Sequence, residues 1–386
     1  MTDFDCSIPT KVFFGKNKIE KIPKEIKKYS SRILFVYGQG SIKRNGIYQK
    51  IVNLLTDSGI EYKELSGIKP NPRIVSVRQG VALCRVHSLD FILAVGGGSV
   101  IDCAKAVAAG VYYENDPWDF FTKKGDIYKA LPIGTVLTLS ATGSEMNGFA
   151  VISNEQTKEK LPAGSDILRP LFSVLDPTYT FSVSKEQTAA GVVDIYSHIL
   201  EQYFSKEDDT YLQDRLSEGL MKTCIHYAPI VINEPDNYQA RAQLMWASSL
   251  ALNGILSYGK TGDWSTHYIE HSISAVTDLT HGIGLALLIP YWLEYVMDDK
   301  RLVKYVNYAE NVFNIKEGSA DKKARAAIDK TREFFSSLSM PSRLREVGVN
   351  ENDLGAMADK TTRFGPVGAF LELDTNDVYQ ILKSAY

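Results

Sequence analysis

The chain has 386 residues, of which 44% are hydrophobic and 23% charged, and its net charge is −3. That length exceeds what one ordinary core organises, so two domains are expected. A near-neutral balance gives no electrostatic footing for nucleic acid or an acidic membrane surface, and no apolar run is long enough to span a bilayer.

The N-terminal stretch MTDFDCSIPTKVFFG opens with acids rather than a basic region before an apolar run, so it does not read as a secretory signal. The four cysteines, Cys6, Cys84, Cys103 and Cys224, lie far apart with no CxxC pair. A disulfide framework is not expected, and a reducing cytoplasm is the expected setting. Short apolar runs at 32–38, 90–96, 131–138 and 171–176 read as buried strands, with helical periodicity between them, for example over 46–55. Strands buried on both faces and joined by crossover helices describe a mostly parallel α/β sheet. Near residue 183 the texture changes: long helical patterns run over 185–201, 210–231 and 238–252. The expected division is an α/β domain over 1–182 and an all-helical domain over 183–386.

Two glycine turns follow predicted strands. Gly38-Gln39-Gly40-Ser41 comes after the first and contains no acid to hold a ribose 2′-hydroxyl. Ser41, with Lys43 and Arg44 beside it, suits a 2′-phosphate as well as it suits a solvated basic turn. Gly96-Gly97-Gly98-Ser99 ends a strand and opens a helix, a geometry suited to a pyrophosphate. The same residues also permit a plain capping box, with Ser99 as N-cap and Asp102 three residues on.

In the helical half, Asp194 and His198 stand i, i+4, as do His267 and His271, and His281 follows at a Thr-His-Gly turn. This spacing puts each pair on one helix face. A carboxylate with several imidazoles suits Fe²⁺ or Zn²⁺ rather than Ca²⁺ or Mg²⁺. Five candidates exceed four ligand positions, which leaves one for another task.

The segments GGGSVIDCAK, TLSATGSE (138–145), GVVDIYSHILEQY and HYIEHSISAVTDLTHG together resemble the iron-containing (group III) alcohol dehydrogenases. The likeness runs in order from PTKVFFG to the C-terminal helices, and DxxxH combined with HxxxH-x9-HG is specific to that family. YGQGSIKRNG, KPNPR, NDPWDF and GDWSTH are similar to its bacterial NADPH-dependent aldehyde reductases and butanol dehydrogenases. The resemblance implies a Rossmann-like dinucleotide-binding domain followed by an all-α metal-binding domain, the dehydroquinate synthase-like architecture. It implies metal ligands at Asp194, His198, His267 and His281, with His271 close to the metal and nicotinamide without being a standing ligand. For the cofactor it implies Gly97, Gly98 and Ser99 at the pyrophosphate with Asp102 nearby, Thr138, Leu139 and Ser144 along the TLSATGSE loop, and Lys160 toward the nicotinamide ribose. Ser41 takes the place of the aspartate of NAD-preferring relatives, with Gly38, Gln39 and Gly40 lining the same turn, so NADP(H) is favoured and NAD(H) admitted.

The implied reaction is reversible hydride transfer between NAD(P)H and an aldehyde or primary alcohol, with His271 as the proton relay. The implied assembly is a homodimer that pairs N-terminal strands, with Thr10–Phe14 as the edge. Neither nucleic acid nor membrane is an expected partner. The alternative is a glycerol dehydrogenase-like or dehydroquinate synthase-like metal enzyme on the same fold. The synthase chemistry needs several basic residues near the metal, and residues 250–285 offer only Lys260 besides the histidines.

Overall fold

A computed structural model describes residues 1–386. Its main sheet has six parallel strands in the order β1 (Lys11–Phe14), β8 (Phe172–Leu175), β5 (Ile133–Leu137), β4 (Phe91–Gly96), β2 (Arg32–Gly38), β3 (Glu61–Ile68). Within β2 the side chains alternate between two cores. Leu34 and Val36 join one with Ile92, Ala94 and the helices Ile74–Val86 and Gly98–Gly110. Ile33, Phe35 and Tyr37 join the other with Leu93, Val95 and the helix Ile47–Asp57. Burial on both faces is why the strand reads as an unbroken apolar run. β3 was not legible in this way, because as an edge strand it alternates exposed and partly buried positions through Glu-Tyr-Lys-Glu. A second, antiparallel sheet pairs β6 (Phe149–Asn154) with β7 (Glu159–Gly164).

The register of the parallel strands decides where the loops emerge. Tyr37 lies opposite Val95, and Gly96 lies opposite Leu137. The turn after β2, the turn after β4 and the loop after β5 therefore leave the sheet side by side at its carboxyl edge, where open α/β sheets bind ligands.

The chain packs as two units, one of residues 7–183 and 235–249, the other of residues 1–6, 184–234 and 250–386. Two segments thus cross the 182/183 line. The N-terminal residues join the helical unit through Thr2 N–H to the Gly259 carbonyl (2.9 Å) and Phe4 stacked on Tyr258 at 5.3 Å between centroids. Residues 235–249 join the α/β unit, where Trp246 meets Phe14 edge-on at 6.1 Å. The helical unit includes Lys185–Tyr203, Tyr211–Asn233, Ser265–Thr277 and His281–Tyr295. No helix is long and apolar enough to cross a membrane, and all four cysteines are free.

Candidate active site

The helix Lys185–Tyr203 is N-capped by Ser184, whose Oγ accepts from Gln187 N–H at 3.2 Å. It carries Asp194 and His198 one turn apart, both buried. The helix Ser265–Thr277 begins where Asp263 accepts from Ser265 N–H (3.0 Å) with one oxygen and from the Ala369 and Phe370 N–H groups (2.9 and 2.8 Å) with the other. Burial raises that carboxyl to about 6. His267, Glu270 and His271 follow on this helix. A left-handed residue, Asp278 (φ 56°), then ends it and returns the chain so that His281 opens the next helix.

The ligand atoms of Asp194, His267 and His281 lie within 4.8 Å of one another. Nε2 of His281 and Nδ1 of His198 each stand 3.6 Å from Asp194 Oδ1, and the His198 ring centroid is 4.6 Å from that of His267. The fifth candidate, His271, has its ring 5.5 Å from that of His281 and forms a second close group with Glu270 and His281. Nε2 of His267 and Nδ1 of His198 are buried and make no hydrogen bond within the protein. Two such nitrogens facing a carboxylate fit a borderline divalent cation better than they fit a packed core, which would leave them unsatisfied. Burial, with the neighbouring His267 and His281, pushes the His198 pKa well down and keeps the ring neutral, the state a ligand needs. Burial also opposes charge on His267, but Glu201 outweighs it and the net shift is upward. Trp264 closes one side, its ring 5.4 Å from His267 and 6.2 Å from His198.

Two acids that the sequence reading passed over complete the cluster. Glu201 meets Nδ1 of His267, and Glu270 meets Nδ1 of His281. The signals that could have found them are spacing: Glu201 is i+7 from Asp194 and Glu270 is i+3 from His267, on the faces already in use.

At the carboxyl edge of the main sheet, the helix Gly98–Gly110 has Gly97 as its N-cap and no side-chain cap. The capping-box alternative is not realised: Ser99 lies inside the first turn and Asp102 bonds elsewhere. Without a side-chain cap, the first turn leaves its N–H groups to a ligand or water. The loop after β5 is anchored against this turn by Thr138 N–H to the Gly96 carbonyl (3.0 Å). A Cβ on Gly98 would stand 2.4 Å from Thr142 Oγ1, and one on Gly97 would stand 3.1 Å from Leu139 Cβ. Gly98→Ala is accordingly expected to overpack this contact at a cost of about 1–3 kcal/mol. Titration of the variant with NADPH and NADH should show at least about tenfold weaker binding, while Zn²⁺ affinity at the histidine cluster stays unchanged.

Behind the loop, Lys105 Nζ donates to Ser144 Oγ (2.8 Å), Asn147 Oδ1 (2.9 Å) and the Phe149 carbonyl (2.7 Å). Ser144 Oγ donates to Asp102 Oδ1 (2.6 Å), and Val151 N–H donates to Asp102 Oδ2 (3.0 Å). Burial raises the Asp102 carboxyl against the pull of Lys105 and, more weakly, of Lys160, which is buried on β7. In the turn after β2, Gly40 takes φ 130° and Ser41 is exposed, with Gly38 and Gln39 ahead of them. Lys43 does not stand free beside Ser41. Its Nζ lies over Tyr37 and Tyr48, at 5.2 and 4.6 Å from the ring centroids, and both tyrosine hydroxyls donate to Glu64.

Residues 9–177 match the iron-containing alcohol dehydrogenase family, and residues 188–386 match the C-terminal part of the Fe-containing alcohol dehydrogenase family. The chain belongs to the iron-containing alcohol dehydrogenase family. Among relatives in this family, NADH-dependent butanol dehydrogenase A of Clostridium acetobutylicum is 53% identical over the whole of both chains. NADPH-dependent aldehyde reductase YqhD of Escherichia coli is 41% identical over 95% of this chain and 94% of its own. The crystal structure of NADH-dependent butanol dehydrogenase A of Thermotoga maritima superposes with a TM-score of 0.96, at 41% identity, over 100% of this chain and 99% of that one.

Proposed function

We infer that the protein is an oxidoreductase that moves hydride reversibly between NAD(P)H and aldehydes or primary alcohols, with a divalent metal at Asp194, His198, His267 and His281. The observation that carries this reading is the convergence of three imidazoles on one buried carboxylate, in a chain of the iron-containing alcohol dehydrogenase family. A bound Fe²⁺ or Zn²⁺ would polarise the carbonyl oxygen, and the reduced nicotinamide would supply the hydride. The protein's own tasks are to hold these groups and to move a proton. His271, near the cluster and free of a ligand role in this reading, exchanges the proton of the product hydroxyl. Gly97, Gly98 and Ser99 take the pyrophosphate, with Thr138, Leu139 and Lys160 along the nicotinamide end. Asp102 and Ser144 serve from behind, by fixing the loop, since their polar atoms already bond to each other, to Lys105 and to Val151.

At the adenosine turn we favour NADP(H), on Ser41 and the neighbouring Arg44, with NAD(H) accepted. The relatives carry both dependences in their names. Lys43 contributes less than its position in the sequence suggests, because it is stacked on two tyrosines. The lyase alternative loses its one basic candidate, since the Lys260 ammonium is buried 3.2 Å from Asp214. Four free thiols accord with a reducing cytoplasm. β1 ends the main sheet, so its outer edge suits a second copy of the chain in a homodimer.

The test is consumption of NADPH and of NADH with butanal, by protein stripped of metal and reloaded anaerobically with Fe²⁺ or Zn²⁺. Turnover is expected only after reloading, and the ratio of the two cofactors reads the Ser41 argument. No oxidation of either cofactor with either metal, across several aldehydes, would remove the oxidoreductase reading.

A further inference from the structure

A neutral imidazole carries one N–H, and the group that faces one ring nitrogen decides which nitrogen keeps a lone pair for a metal. At this site both choices are made by buried carboxylates. Glu201 Oε2 faces Nδ1 of His267, and Glu270 Oε2 faces Nδ1 of His281. Neither acid is exposed at all, and each is fixed through its other oxygen: Glu201 Oε1 accepts from Thr266 N–H at 2.7 Å, and Glu270 Oε1 accepts from Ser274 Oγ. Space for Glu270 comes from the next helix, where a Cβ on Gly284 would stand 2.6 Å from Glu270 Cγ and 2.9 Å from Oε1.

We propose that Glu201 and Glu270 are positioning residues of the metal centre, each holding the Nδ1–H form of its histidine so that Nε2 of His267 and His281 faces Asp194 as a ligand. The geometry is independent on the two helices and repeats the same arrangement twice. A carboxylate on the far nitrogen also makes the ring a stronger donor to a cation. This rests on the reading that Asp194 and the three histidines hold a divalent ion, so the test separates the two.

Zn²⁺ affinity is measured by competition with a chromophoric chelator for the full-length wild type, Asp194→Asn, Glu201→Gln and Glu270→Gln. Histidine ¹⁵N spectra of the Zn²⁺-loaded proteins report which ring nitrogen carries the proton. The expected result is Nδ1–H on His267 and His281 in the wild type, and about 10–100-fold weaker Zn²⁺ binding in each glutamine variant, with the metal-free thermal midpoint near that of wild type. Gly284→Ala leaves both acids in the sequence and crowds only Glu270. It is expected to weaken Zn²⁺ binding and to disturb the His281 signal but not that of His267. Wild-type spectra with the proton on Nε2 of either histidine would overturn the inference without any variant. So would wild-type affinity in both glutamine variants, or lost affinity with unchanged histidine signals. If instead the wild type binds no Zn²⁺, or Asp194→Asn binds it equally well, the metal reading itself fails.

Discussion

Asp194→Asn is expected to lose both bound metal and turnover, each by more than about 100-fold, which exceeds the usual cost of losing an outer-shell partner. The substitution keeps the shape of the side chain and removes its charge. Asp194 Oδ1 is the atom on which the cluster closes, with His198 Nδ1 and His281 Nε2 each 3.6 Å away. An amide there offers a neutral carbonyl oxygen, or turns an N–H toward nitrogens that must themselves stay unprotonated. Metal content after dialysis and thermal midpoint with and without Zn²⁺ give readings independent of activity. The wild-type midpoint should rise with Zn²⁺ as binding to the native state demands, and the Asn midpoint should not. His271→Ala is the contrast. Its ring belongs to the second group, with Glu270 and His281, and its removal should slow turnover while leaving metal stoichiometry intact. If His271→Ala loses the metal, the relay assignment is wrong and His271 is a ligand.

The convergence of Asp194 with the histidines was legible because helix periodicity sets Asp194 and His198, and His267 and His271, at i and i+4, and histidine is scarce in the chain. Three of the chain's six histidines fall between 267 and 281. The acids behind it were not, because Glu201 and Glu270 are two among 46 acidic residues, and nothing in the sequence says that these two are sealed from water. The same contrast runs through the fold. β2, β4, β5 and β8 announce themselves by apolar runs buried on both faces, whereas β3 alternates exposed and partly buried positions at the sheet edge, and β6 and β7 form a hairpin across residues 155–158 whose burial is mixed, most of β7 being only partly buried. A single cut at 182/183 follows the change in local periodicity. Packing moved 1–6 and 235–249 across it, because those contacts join residues far apart in sequence. Lys105 is the sharpest case. It closes the motif GGGSVIDCAK, where nothing in the local pattern marks it as different from any other helical lysine, yet its side chain is wholly buried.

Lys105→Met is expected to destabilise the α/β unit by about 3–5 kcal/mol, the range for stripping one partner from a buried charged network. Methionine fills much of the volume but takes the Lys105 donor from Ser144 Oγ and the Phe149 carbonyl, leaves Asn147 Oδ1 with Phe149 N–H alone, leaves Glu145 without its cation and leaves Asp102 with only the weaker pull of Lys160. Glu145 is already marginal: Ser249 serves its Oε1 at 2.5 Å, Oε2 makes no hydrogen bond, and burial raises its pKa. The thermal midpoint of the unit should fall by roughly 10 °C. The pH dependence identifies the cause. Burial lowers Lys105 from 10.5 to about 8, against the pull of Asp102 and Glu145. Between those values the unfolded chain holds the proton and the native state does not. Stability from this group is therefore full above 10.5 and is lost as pH falls through 8. Buried Cys84, Cys103 and Cys224, each pushed up to about 12, run the other way, so wild-type stability alone does not isolate the lysine. The difference between wild type and Lys105→Met does, because the thiols are common to both. That deficit should widen from pH 8 to pH 10.5, by up to about 3 kcal/mol. A deficit that stays flat across this interval would mean that Lys105 remains an ammonium ion throughout, held charged by Asp102 and Glu145 as a buried ion cluster rather than discharged by burial.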